Sequence, residues 1–236
     1  MKFKGKADER PTPAAGYRQA IQKADEVIAQ RGAEIRPDNW QQLALEWFAS
    51  QEPERSEFAR FIRAQQDGLG LAWARDILRL QVFFDAQASV QIVEHHERAF
   101  RAYPRCPLVE IWVAPYILRI RGDLWRVRQM CLEATAELSS FAKPHYELGF
   151  MSYLLGDFSG ALAEFDQAVA LVTDTDNDTA LAPRVFFNRG IVRFALQEDR
   201  QAAVADVAEA LRRKPDYTQA QEALRALKGK PRWLPW

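Results

Sequence analysis

The run HYELGFMSYLLGDFSGALAEFDQAVAL, residues 145–171, decides the fold. Small residues stand at Gly149, Gly156, Ala161 and Ala168, and large ones at Leu148, Phe158 and Phe165. Two antiparallel helices approach closely only where side chains are tiny, which suits Gly149, Ala161 and Ala168; the large residues fill the space beside those contacts. Between the two halves, the glycine-containing turn at Gly156-Asp157 reverses the chain. One such helix pair cannot bury both its faces, so it must stack on neighbours.

Neighbours are present. Counting from Ala142 as position 1, the run places Leu148, Gly149, Gly156, Phe158, Ala161, Phe165 and Ala168 at positions 7, 8, 15, 17, 20, 24 and 27. In residue type these resemble the tetratricopeptide repeat, a helix-turn-helix unit of about 34 residues. Departures are His145 at position 4, where the family has Trp, and Thr173 at position 32, where it has Pro. A copy starting 34 residues earlier, 108–141, carries Ile111, Leu118, Gly122, Asp123, Leu124, Val127 and Ala134, with Pro115 at position 8 as an expected kink. Residues 73–106 form a degenerate copy through Phe83, Ala99 and Pro104. Residues 183–217 form a good one, with Gly190 at position 8 and Ala203, Val207, Ala210 and Pro215 following one extra residue in the Gln197 to Arg200 turn. The resemblance covers 73–217 and implies an all-α fold: an α-α superhelix, a TPR-like solenoid of antiparallel helix pairs, with an extra N-terminal helical segment.

Outside the repeats, residues 1–13 read as a flexible N-terminal arm holding Lys2, Lys4, Lys6, Pro11 and Pro13. Residues 14–72 form an N-terminal helical segment that matches no repeat. Its first helix spans Ala14 to Arg31 and stops at Gly32. Asp38 or Asn39 caps a second, Pro53 opens a third, and the GLG of Gly68 to Gly70 breaks the chain. Thr173 to Ala182 is an insertion between the last two repeats. Residues 218–236 hold a capping helix, begun by Tyr217 and running to Leu227, and the Trp-rich tail Trp233-Leu234-Pro235-Trp236. That tail either folds back on the last helix or inserts into a neighbour or partner.

Composition narrows the function. Lys plus Arg is 32 and Asp plus Glu is 32, so a generic polyanion binder is excluded. The arginine clusters 119–128 and 212–214 read as solvated helix faces, and the balance argues against nucleic acid as partner. The longest run without a charge, Leu148 to Gly156, is nine residues, far short of a membrane span of about 20. Cys106 and Cys131 are too few for a disulfide framework and suit a reducing compartment, and the expected localisation is cytoplasmic.

Candidate chemistry is sparse. Asp174, Asp176 and Asp178 start like a calcium loop, but Thr179 and Val185 stand where the cage needs Gly and Glu, so a solvated acidic linker is expected. His95 and His96 are adjacent and point about 100° apart on a helix, so they chelate poorly. His96 takes packing position 24. No nucleophile motif or phosphate loop stands out. The expectation is a non-enzyme with no catalytic residue, cofactor or metal.

The resemblance implies a better site. In the family, positions 2, 5, 9, 12 and 13 of each first helix line the concave side. Here these are Val109, Trp112, Tyr116, Arg119 and Ile120; then Lys143, Tyr146, Phe150, Tyr153 and Leu154; then Arg184, Phe187, Ile191, Phe194 and Ala195. Asn188, at position 6, matches one element of the family's Lys/Asn clamp for a C-terminal carboxylate, but Tyr146 and Phe150 replace the rest, so that ligand is not expected. Aromatics and Arg anchor hot spots. The implied role is a non-catalytic scaffold, adaptor or assembly factor that binds a peptide or helix of another protein, with Arg119, Lys143 and Arg184 selecting an acidic neighbour. The alternatives are a homo-oligomer assembled through the Trp tail, an RNA binder, and a groove that the chain's own helices fill.

Overall fold

A computed structural model describes residues 13–49, 54–172, 181–197 and 199–229. Among these there are twelve α-helices and no strand: α1 Pro13–Gln30, α2 Trp40–Phe48, α3 Glu54–Ala64, α4 Leu71–Asp85, α5 Ser89–Ala99, α6 Pro107–Arg121, α7 Leu124–Glu137, α8 Ala142–Leu154, α9 Phe158–Leu171, α10 Leu181–Ala195, α11 Arg200–Arg213 and α12 Thr218–Lys228. The chain divides into two compact units, residues 1–108 and 109–236. The N-terminal arm up to residue 12, Pro53, most of the 173–182 insertion and the Trp-rich tail lie outside the described residues.

In the first unit, α2 and α1 pack on α4, and α4 pairs with α5. Trp73 of α4 is fully buried, edge-on to Trp40 at 6.0 Å and against Phe58 at 5.6 Å. Pro13 opens α1, and α1 ends on Gly32 at φ +71°. Asn39 does stand at the N-cap of α2, but its side chain makes no cap bond. Its Oδ1 instead accepts from the Arg36 backbone N–H, and its Nδ2 donates to the Glu34 carbonyl. The turn before the helix has captured the side chain expected to cap it.

In the second unit the helices pair in chain order: α8 with α9, α10 with α11, α9 against α10, and α11 against α12. A Cβ added at Gly149 would stand 2.9 Å from the Phe165 ring and 3.2 Å from the Ala161 carbonyl oxygen. At Gly190 it would stand 2.9 Å from the Ala203 carbonyl and from Val207 Cγ2. Ala161, Ala168, Ala203 and Ala210 are fully buried opposite them. Close approach at tiny side chains is therefore the physical basis of these two pairs. Pro115 lies inside one uninterrupted helix, α6.

Position 15 unifies the four copies. Gln87, Gly122, Gly156 and Gln197 occupy it, and all four have positive φ, between 51° and 79°. After Gly156, the Asp157 N–H bonds the Ser152 carbonyl at 2.9 Å; after Gln87, the Ala88 N–H bonds the Phe83 carbonyl at 2.9 Å. This six-to-one closure is the Schellman motif in both turns. Asp123, Asp157 and Asp199 then cap α7, α9 and α11 through side-chain oxygens that accept from Arg126, Gly160 and Gln201 N–H groups. The residues 71–99 thus form the same hairpin as the others, although their sequence carries almost none of its marks.

Candidate functional site

On α8, Tyr146, Phe150 and Tyr153 are spaced by four and three, which sets them on one helix face. Their rings follow one another, Tyr146 to Phe150 at 6.3 Å with planes 9° apart, then Phe150 to Tyr153 at 6.3 Å with planes 22° apart. From α6, Trp112 is covered by the Lys143 ammonium at 4.9 Å, and Tyr116 by the Arg119 guanidinium at 5.3 Å. From α10, the Arg184 guanidinium lies 4.8 Å over the Tyr146 ring, and Asn188 Nδ2 donates to the Tyr146 hydroxyl at 3.0 Å. Three cations therefore sit on three rings of one continuous face, an arrangement stabilised by the ring quadrupole.

Residues of this face differ in what they offer. Tyr146 is 1% exposed, and burial pushes its hydroxyl above the usual phenol range, so it stays a neutral hydrogen-bonding group. It is the floor. Trp112, Tyr116, Lys143, Phe150, Tyr153, Phe187, Asn188 and Ile191 are half-buried, and Arg119, Arg184 and Phe194 are exposed. Phe187 packs on Tyr217 at 5.1 Å, beside the start of α12. Lys143 is also held by the buried carboxylate of Glu147 at 2.8 Å. Among the described residues no carboxylate pairs with Arg184.

Several features were not anticipated. Glu147 is one; its spacing of four from Lys143 is a readable helix pair. A second is a staple of Arg189 and Arg193 on Asp166 and Asp206, which binds α9, α10 and α11 at 2.9–3.3 Å for three of its contacts. A third is a part-buried polar network in the first unit. Arg79 grips both carboxylate oxygens of Asp25 at 2.7 Å and reaches Asp76 at 2.9 Å, while the Tyr103 hydroxyl donates to Asp76 at 2.8 Å. His95 contacts the Asp76 carbonyl at 2.9 Å through Nε2 and the Tyr17 hydroxyl at 2.9 Å through Nδ1. His95 is thus the inward residue of its pair, fully buried; His96, expected in the packing slot, is half-buried and stacks on Phe100 at 5.9 Å. The first unit also has an open cleft of about 620 Å³ between the last turns of α1, the 32–35 loop and Arg75.

Antiparallel helix pairs, closed by a left-handed residue at one fixed position and drawn together at glycine, define a helix-hairpin repeat protein. No family model matches the chain, and no curated protein matches it. Solved structures do. A chain of the APC/C hetero-tetramer Cut9–Hcn1 superposes with a TM-score of 0.60 and 13% identity, over 89% of this chain and 39% of that one. YrrB, described as a TPR protein with an unusual peptide-binding site, superposes with a TM-score of 0.52 and 15% identity, over 86% and 98%. The fold is that of tetratricopeptide-repeat proteins. No helix among the described residues is long and apolar enough to cross a membrane.

Proposed function

We propose that the second unit is a non-catalytic scaffold that holds a segment of another protein against the face of α6, α8 and α10. One observation carries this reading: the cation-capped rings end in Arg184, an exposed residue whose guanidinium lies over the buried Tyr146 and which forms no salt bridge among the described residues. An arginine held over a ring is already ordered, so it loses little freedom on meeting an anion. The preferred segment, a peptide or a helix, has apolar side chains for Phe150, Tyr153 and Phe194 and an acidic group for Arg184, Lys143 or Arg119. Two proteins of like fold add support: Cut9 was solved in a hetero-tetramer, and YrrB carries a peptide-binding site.

Selection from a displayed peptide library tests the reading. The unaltered protein is expected to enrich peptides that combine acidic and apolar residues, and Arg184→Glu to lose that enrichment while its helical circular dichroism is unchanged. Equal enrichment by both proteins refutes the assignment. Tyr146 is unsuited to such a test, because truncating a buried ring costs about 3–5 kcal/mol of stability by itself.

A further inference from the structure

We propose that Glu147 sets the charge this face accepts: by holding Lys143 it leaves Arg184 to meet the partner, so the segment brings a single carboxylate there and a phosphate group is disfavoured. The inference rests on the reading above and narrows it. Lys143 and Glu147 stand four residues apart on α8, and the ammonium meets Glu147 Oε1 at 2.8 Å. Their side chains are only 13% and 2% exposed, so the attraction is weakly screened by water and salt. The same ammonium lies 4.9 Å over the Trp112 ring. An anion arriving at Lys143 would have to draw it from Glu147 and leave a buried carboxylate unpaired, which is strongly unfavourable.

Arg184 is placed differently. It is an exposed residue of α10, its guanidinium lies 4.8 Å over the Tyr146 ring, and among the described residues it forms no salt bridge. Asn188, one turn further along α10, donates to the hydroxyl of that same ring at 3.0 Å. Glu147 follows Tyr146 in the chain, and its field reaches Arg184: burial works against the charged guanidinium, while Tyr146 and Glu147 favour it. Lys143, Glu147 and Arg184 together therefore leave one positive charge around Tyr146. One carboxylate balances it. A phosphoserine carries about −1.5 to −2 at neutral pH, so it would leave excess negative charge near Glu147. Rings line this part of the face, and such surroundings screen that excess less than open water does.

The test uses the full chain and the best peptide from the library selection. That peptide is made in two forms, with its own acidic residue or with phosphoserine at the position whose enrichment depends on Arg184. Fluorescence anisotropy is read at about pH 7.5, where phosphoserine is close to a dianion. The unaltered protein is expected to bind the carboxylate form more tightly than the phosphoserine form. Glu147→Gln frees Lys143 and should tighten binding of the phosphoserine form about tenfold, the worth of one added charge-assisted hydrogen bond. Adding Lys143→Gln to Glu147→Gln should abolish that gain, because the second cation is gone. Circular dichroism checks the fold of both variants, and the comparison of the two peptides on the unaltered protein needs neither. Tighter binding of the phosphoserine form by the unaltered protein overturns the inference and leaves the reading of the face intact. So does a Glu147→Gln variant that gains nothing, or a gain that survives the loss of Lys143. If no acidic position depends on Arg184, the reading of the face fails and this inference falls with it.

Discussion

The hairpins α4–α5 and α8–α9 have the same turn and hold it by different means. In α8–α9 the helices meet where side chains are missing, at Gly149 against Ala161 and Phe165, and the turn is Gly156 with a capping Asp157. In α4–α5 the residue corresponding to Gly149 is Leu80, fully buried, and the turn is Gln87-Ala88 with no side-chain cap. The tie across the first pair is His95 to the Asp76 carbonyl, extended by Tyr17, Tyr103, Arg79 and Asp25. A repeat architecture therefore tolerates loss of its packing signature where a part-buried polar network centred on the buried His95 and Asp76 takes over the joining of helices.

The largest way to break this comparison is to remove the network's centre. His95→Ala empties a fully buried ring position and frees two hydrogen-bonding partners, with an expected loss of about 4 kcal/mol. Gly190→Ala should act in the opposite chemical sense: adding one methyl against the Ala203 carbonyl costs about 3 kcal/mol, despite alanine's higher helix propensity. Leu80→Ala, by contrast, should cost about 3 kcal/mol by removing methyls. Urea unfolding measures the three losses, and amide exchange locates each in its own hairpin. A mild Gly190→Ala would show that close approach is not what holds α10 to α11.

Proton linkage sharpens the contrast, because each hairpin has one histidine across it. Burial, the leading cause, lowers the His95 pKa below 6.5, with Arg79 also opposing a second positive charge and Asp76 working the other way. Its folded form is neutral, so the stability it accompanies is intact above pH 6.5 and is lost as pH falls below. His145 faces Glu164 at 2.7 Å with Nδ1 and the Ser139 carbonyl at 3.1 Å with Nε2. Two acceptors on one ring favour the imidazolium, and the Glu164 hydrogen bond raises its pKa above 6.5. Its contribution is complete below pH 6.5 and is lost as pH rises through the folded value. Lowering pH from 8 to 5.5 should thus loosen α4–α5 and tighten α8–α9, read as amide protection corrected for intrinsic exchange. A common direction for both hairpins would contradict the assigned protonation states, and His145→Gln should abolish the second trend alone.

What could be read from residues alone follows the same division. Gly149, Gly190 and Asp157 were legible because sterics and capping act between near neighbours at fixed spacing. Gln87 hid its turn, since glycine's advantage at positive φ is only about 1–2 kcal/mol and the Schellman bond holds the turn without it; the turn at Gln197 was placed by the repeat spacing. The aromatic face was legible by position, but not that Tyr146 would be its floor. That depends on Asn188, 42 residues away. Arg79 with Asp25, separated by 54 residues, is equally invisible to any periodic pattern. His145 was legible only as a departure from Trp; Glu164 and Ser139 supply its reason.

The smallest effects restore or erase the turn signature itself. Ala88 sits at φ −81° and ψ 71°, nearly the backbone of Asp123 at −83° and 77° and of Asp157 at −81° and 76°. Only the oxygen is missing. Ala88→Asp should add a cap to the Gln91 N–H and gain about 1 kcal/mol, and Asp157→Ala should lose about the same. Gln87→Gly should add about 0.5 kcal/mol, the relief of a left-handed side chain less the extra freedom glycine gains when unfolded. If thermal unfolding shows the α4–α5 hairpin unmoved by both substitutions while Asp157→Ala destabilises α8–α9, the two turns are alike in geometry but not in energy. The polar network alone would then set the stability of the first pair.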